Sequence, residues 1–295
     1  MLVYHYSLKG IREANEDSHK IVLNQTKQNT SLHDFNFYSI YDGHGGKKVS
    51  EYVAEQLYYY YLHKTAAYNL KELMKNQKLF EEYTHRTYTH IQKKLVHEKK
   101  NFSKNMGSTA IMALEYFQGS KHFLQVVNLG DCRAVLCNKY NIGVALTKDH
   151  KPDTLEERRR IEQLGGVIEF DKEDEIYRIN GLALSRAFGD LDTHEYVSYL
   201  PDVYSYEIQN DDKFVIIACD GLWDVMSNQD AVDWVLNFGP VVDDKITELK
   251  SKNEQELIEK KTSKNIAQLM AKHAINNLES TDNVSVLIVF FRKIN

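Results

Sequence analysis

Apolar runs that read as β-strands in this chain repeatedly abut a carboxylate, and that pattern limits the fold more than any other feature. Ser39-Ile40-Tyr41 runs into Asp42-Gly43-His44-Gly45-Gly46, and Phe214 to Cys219 runs into Asp220-Gly221. Asp282-Asn283 directly precedes the run Val284 to Phe291, Glu16-Asp17 heads the first plausible strand pair, and Asp131 lies between Phe123 and Cys137. Singly, an Asp-Gly after a strand is a turn, because glycine accepts positive φ and aspartate bonds to nearby backbone amides. Jointly, the acids recur too often at strand ends for that reading. If the ends converge, the carboxylates repel one another and their pKa values rise. Hard divalent cations relieve this, since Mg2+ and Mn2+ prefer oxygen ligands and keep several waters.

Strands are expected at Phe35 to Tyr41, Thr109 to Phe117, Phe123 to Leu129, Arg133 to Cys137, Phe214 to Cys219 and Val284 to Phe291. Phe123 to Cys137 reads as a hairpin with Gly130-Asp131 near its tip. Helical spacing links Phe80, Thr84, Thr87, Ile91 and Leu95, then Val232, Val235 and Leu236, then Ile266, Leu269, Met270 and His273. Ser227 with Asp230, and Thr154 with Glu157, read as N-terminal boxes, the second opening a short helix that ends at Gly165-Gly166. Pro240 to Thr262 reads as an exposed connection or a solvated helix. The order of elements suits an α+β fold with mainly antiparallel sheets, and no domain boundary is visible in the 295 residues.

Composition removes several function classes. A net charge of −5, with lysine and arginine scattered among acids, argues against a nucleic-acid footprint. Cys132, Cys137 and Cys219 cannot pair completely and show no zinc spacing, so they are expected as reduced thiols. The start Met1-Leu2-Val3-Tyr4-His5 lacks a signal-peptide core and a myristoylation glycine, and no apolar run approaches the roughly 18 residues that cross a bilayer. The expectation is a soluble cytoplasmic or nuclear protein with no membrane partner. A cysteine phosphatase needs arginine six positions after its cysteine, where this chain has Asn138, Gly143 and Val225. A P-loop fails because Tyr41 stands five before Gly46-Lys47. His85, His90, His97, His150, His194 and His273, the run Tyr58 to Tyr61 and Arg158-Arg159-Arg160 read as packing or surface residues.

Eight stretches, in order, resemble the metal-dependent serine/threonine phosphatases of the protein phosphatase 2C (PPM) family. They are Gly10-Ile11-Arg12 through Glu16-Asp17, Tyr41 to Gly46, Gly107-Ser108-Thr109-Ala110, Asn128 to Arg133, Asp149-His150-Lys151-Pro152, Leu184 to Asp190, Ala218 to Val225, and Asp282-Asn283. The resemblance covers nearly the whole chain. It implies one domain over residues 1–295, an αββα sandwich of two antiparallel sheets flanked by helices, with a binuclear metal site at one end. By that likeness Asp42 bridges two Mg2+ or Mn2+ ions, the Gly43 carbonyl joins it, and Glu16, Asp220 and Asp282 complete the set. Asp17 stands behind them, and Asp131, Asp220 and Asp224 match positions that help hold a weaker third ion. Arg12 matches the phosphate-binding arginine and His44 the general acid. The departures (Asn15, Tyr41 and Glu279) remove no ligand.

The implied chemistry is hydrolysis of phosphoserine and phosphothreonine in phosphoprotein partners. A water or hydroxide shared by two metals attacks phosphorus in line, with no phosphoenzyme. A monomer acting in signalling is the expected form. The alternative is a similar fold kept as an inactive binding or regulatory module, which would be expected to have lost metal carboxylates; Glu16, Asp42, Asp220 and Asp282 are all present.

Overall fold

The computed structural model describes residues 2–23, 35–63, 70–193, 195–238 and 265–291. In chain order the first strands are β1 (Leu2–Leu8), β2 (Ser18–Val22), β3 (Phe35–Tyr41) and β4 (Gly43–His44). Helices α1 (Lys48–Tyr58), α2 (Leu70–Met74), α3 (Gln77–Glu98) and α4 (Lys100–Ser103) follow, with a π-helical turn at Tyr59–His63 after α1. Then come β5 (Gly107–Ser108), β6 (Ala110–Gln118), β7 (Lys121–Leu129), β8 (Arg133–Cys137) and β9 (Gly143–Ala145). Helix α5 (Leu155–Gln163) leads to β10 (Ile168–Asp171), β11 (Ile176–Ile179), β12 (Phe188–Gly189), β13 (Asp202–Ile208) and β14 (Phe214–Ala218). The last elements are α6 (Asp220–Trp223), α7 (Asn228–Phe238), α8 (Ile266–Asn276) and β15 (Val284–Phe290). This is an α+β arrangement, and its contacts group into two compact units.

The larger unit holds residues 16–133 and 147–208. Its main sheet runs β13-β7-β6-β3-β2, and every neighbouring pair in it is antiparallel. Period-two alternation sends Ala110, Met112, Leu114 and Tyr116 of β6 to one face. There they pack with Val49, Val53 and Leu57 of α1 and with Phe80, Tyr88, Ile91 and Leu95 of α3. Helix α3 is well started, because the Asn76 side chain accepts from Leu79 N at 3.2 Å. A three-stranded miniature sheet, β12-β5-β4, pairs His44 with Gly107 and Gly107 with Gly189. The smaller unit holds residues 1–15, 134–146 and 209–295. Its sheet runs β1-β15-β14-β8-β9. Val284, Val286, Ile288 and Phe290 of β15 pack with Val232 and Val235 of α7 and with Ile266, Met270 and Ala274 of α8.

Several expectations are corrected. Phe123 to Cys137 is not a hairpin: β7 pairs with β6 and β13, whereas β8 pairs with β9 in the other sheet. Gly130-Asp131 therefore links two sheets. Thr154 stands at the start of α5 without a side-chain cap, its hydroxyl donating back to Lys151 O. Glu157 is drawn instead to Arg186, Arg160 and Ser185. Arg160 is accordingly a structural anchor, not a solvated residue, donating also to the Tyr196 and Ser185 carbonyls. The Ser227–Asp230 box forms as expected, with Asp230 N donating to Ser227 Oγ at 3.1 Å. Tyr59 is exposed while Tyr60 and Tyr61 are buried. All three cysteines are buried thiols. Pro240 to Thr262 and His194 lie outside the described residues. Among the described residues no helix is long and apolar enough to cross a membrane.

Candidate active site

In the larger unit, Asp42 follows directly on β3, and Thr109 holds its backbone on both sides. Thr109 N donates to Asp42 O at 2.9 Å, and Asp42 N donates to Thr109 Oγ1 at 3.1 Å. Asp17 and Asp42 each place a carboxylate oxygen within 4.8 Å of the other. Ser50 Oγ donates to the Glu16 carbonyl at 2.5 Å. A Cβ at Gly43 would stand 2.4 Å from that same carbonyl oxygen, so only glycine lets this main chain come so close to Glu16. Asp131 is 2% exposed and pairs through Oδ2 with Lys151 Nζ at 2.6 Å. Its buried Oδ1 accepts no hydrogen bond among the described residues.

These features fit a divalent cation. Two carboxylates so near each other, and a buried carboxylate oxygen without a donor, are costly unless positive charge meets them. The carboxylates of Asp17, Asp42 and Asp131 offer only oxygen, which suits Mg2+ or Mn2+ better than zinc.

His44 lies at the end of β4, its Nε2 2.7 Å from Oδ2 of Asp190. Burial by itself would lower the His44 pKa; the hydrogen bond and charge of Asp190, aided by Asp131 and Glu16, outweigh it and raise the pKa. Asp190 ends the matched stretch Leu184 to Asp190, yet sequence reasoning gave it no role. Its only signal in the chain is its place at the end of that stretch, directly after a glycine as Asp42 stands directly before one. Lys151 and Thr109 also sit in matched stretches without an expected role.

The smaller unit carries the other expected residues. Asp220 opens α6 with one residue, Cys219, between it and the end of β14, and Asp224 closes it, Asp224 N donating to Asp220 O at 2.8 Å. Ser280 Oγ donates to Gly221 O at 2.7 Å, which ties the turn before β15 to the start of α6. Arg12 Nη2 meets Asp282 Oδ2 at 2.8 Å, and its Nε reaches Thr281 O at 3.3 Å. The guanidinium stays largely exposed, at 57%. Asn283 Nδ2 donates to Lys9 O and Ala14 O at 2.8 and 2.9 Å, fastening both ends of the segment that bears Arg12. Arg12, Asp220, Asp224 and Asp282 thus belong to one unit, and Glu16, Asp17, Asp42, Gly43, His44 and Asp131 to the other.

A half-buried ion network begins at Gly130, the neighbour of Asp131 in the chain. Gly130 N donates to His150 Nδ1 at 3.0 Å, and His150 Nε2 lies 3.2 Å from Asp202 Oδ2. Asp202 Oδ1 meets Arg186 Nη1 at 2.8 Å, and Arg186 Nη2 meets Glu157 Oε1 at 2.6 Å. Burial pushes the Asp202 and Glu157 carboxyls up, but hydrogen bonds and charge prevail, from His150 and Arg186 for Asp202 and from Arg186 and Arg160 for Glu157. Asp202 is held well below the usual carboxylate range and Glu157 at about 2.

The chain is similar to known proteins over most of its length. The chain is 43% identical over 183 residues to a PP2C-like domain-containing protein of Acanthamoeba polyphaga mimivirus, covering 60% of this chain and 98% of that one. It is 32% identical over 262 residues to protein phosphatase 1A of Homo sapiens, covering 81% of this chain and 62% of that protein. The chain spans about half to two thirds of the length of the plant and human relatives it matches. A crystal structure of serine-threonine phosphatase 2C from Toxoplasma gondii superposes with a TM-score of 0.71 at 25% identity, over 98% of this chain and 94% of that one. The family model described as protein phosphatase 2C matches residues 4–284, and the chain belongs to that family.

Proposed function

We propose that this chain hydrolyses phosphoserine and phosphothreonine in protein substrates and that the reaction requires two divalent cations, Mg2+ or Mn2+. The observation that carries the reading is the close pair of carboxylates at Asp17 and Asp42 on a strand end that glycine leaves open. Family membership supports it. Glu16, Asp42, the Gly43 carbonyl, Asp220 and Asp282 would hold the two ions, with Asp17 behind them. Asp131, Asp220 and Asp224 would serve a weaker third. Bound there, such ions supply an acidified water and offset the charge of the phosphate dianion.

The side chains of the chain do the rest. The exposed Arg12 guanidinium can grip two phosphate oxygens at once, and its contact with Asp282 sets its direction. The substrate P–O bond breaks as water adds to phosphorus. The serine or threonine oxygen leaves with a proton from His44, and the imidazole regains a proton from solvent. Retention of the acids argues against a binding-only module.

The test is hydrolysis of a phosphothreonine peptide with and without added Mn2+. Turnover should appear with the metal, stop with a chelator, and be lost in a folded Asp42→Asn protein. A folded Asp42→Asn variant that turns over at the wild-type rate would refute the proposal.

A further inference from the structure

We propose that Asp190 is the positioning residue for His44, selecting which of its ring nitrogens gives a proton to the leaving oxygen. The inference rests on the phosphatase reading above and extends it to a residue outside the expected site.

The miniature sheet builds the contact. Gly107 is its central residue, paired with His44 on one side and Gly189 on the other. The His44 and Asp190 side chains meet across it, Nε2 to Oδ2 at 2.7 Å. A Cβ at Gly107 would fall 2.1 Å from Asp190 Oδ2 and 2.3 Å from His44 Nε2, so the meeting needs a glycine between the two strands. The acid is held as firmly as the ring. Gln92 on α3 is buried and clamps Gly189 twice, accepting from its N at 3.0 Å and donating to its O at 3.1 Å. Asp190 N donates to Met106 O at 3.1 Å, and Thr193 N donates to Asp190 O at 2.9 Å. Asp190 itself adopts a left-handed φ of 47°, a conformation a non-glycine residue keeps only where its surroundings impose it. Its carboxylate is 5% exposed, while the His44 ring is 26% exposed.

The chemistry follows from which nitrogen is engaged. A carboxylate accepts, so Nε2 carries a hydrogen toward Asp190, and Nδ1 is the nitrogen left to face a leaving oxygen. In the reaction the Nδ1 proton goes to the departing serine or threonine oxygen as the P–O bond breaks. The neutral ring keeps its Nε2 hydrogen on Asp190, and water returns the Nδ1 proton. Without Asp190 the ring can turn over or settle in the other tautomer, and the proton is misdirected.

An aryl phosphate with a nitrophenol leaving group departs without a proton, whereas threonine cannot. Asp190→Asn in the full chain with Mn2+ should therefore lose about 100-fold in kcat on a phosphothreonine peptide and less than about 3-fold on nitrophenyl phosphate, within the range typical of general-acid catalysis. In a His44→Gln background the same change should add nothing on the peptide. Equal losses on both substrates, no loss on either, or a further loss in the His44→Gln background would each overturn the assignment of Asp190. If Asp190→Asn does not fold, the wild-type ring decides by 15N NMR: the neutral imidazole should carry its hydrogen on Nε2, and a hydrogen on Nδ1 overturns the proposal. A wild-type protein without metal-dependent turnover removes the phosphatase reading and this inference with it. Turnover in the wild type with equal losses in the variant removes the inference alone.

Discussion

Replacing Glu157 by glutamine removes one negative charge from between two arginines and changes little else in size. Glu157 Oε1 accepts from Arg186 Nε and Nη2 at 3.0 and 2.6 Å. Its Oε2 accepts from Arg160 Nη2 and Ser185 Oγ, both at 2.8 Å. A glutamine keeps one of these oxygens and turns an amide toward a guanidinium. The cost can be worked from the carboxyl itself, held at about 2 against 4.5 unperturbed. At roughly 1.4 kcal/mol per pH unit this is about 3 kcal/mol at neutral pH. The folded pKa lies below the unfolded one, so the contribution is complete above about pH 4.5 and fades as pH falls toward about 2. Urea unfolding of wild type and Glu157→Gln should thus differ by about 3 kcal/mol at pH 7 and by about 1 kcal/mol at pH 3. A gap that holds constant between those pH values, or one under about 0.5 kcal/mol at pH 7, would show that the arginines do not stabilise this carboxylate.

Three further outcomes are expected. Saturating Mn2+ should raise the melting temperature, by about 2.7 kcal/mol of added stability at 100 times its Kd, and an Asp42→Asn protein should show a smaller rise in the same scan. Asn283→Ala releases the Lys9 and Ala14 carbonyls, so it should cost about 1–3 kcal/mol in denaturant unfolding and raise KM for a phosphopeptide by loosening the segment that bears Arg12. Phe80→Ala opens a cavity under α3 at a fully buried position and should cost about 3–5 kcal/mol; a cost below about 1 kcal/mol would place Phe80 outside the core.

What could be read in the sequence was whatever a local period determines. The strands Phe35–Tyr41 and Arg133–Cys137 have the bounds expected of them, and all five spaced residues of α3 are buried. Pairing was less legible, because alternation says that a run is a strand and not which strand lies beside it. That is why Phe123 to Cys137 was expected as a hairpin and is divided between two sheets. Two-residue strands such as β4, β5 and β12 have no period at all and cannot be seen from the chain. Glu157 shows the same limit at one residue: its spacing from Thr154 fits a capping box, but Arg160 one turn along the same helix and Arg186 from a later segment bind it instead. The expected site residues came from matched stretches, which name positions without their partners. Asp131 with Lys151, and His44 with Asp190, are pairings that only the folded chain displays.

The miniature sheet ties His44 to residues that the ribosome makes much later. Gly107 and Gly189 come from the middle and the last third of the described chain, so each pairing closes a long loop before it returns any free energy. Contacts of that kind form slowly compared with helices or local turns. A nascent chain can therefore complete α1 and α3 and still lack the histidine–aspartate contact. That contact must wait until translation has passed residue 190.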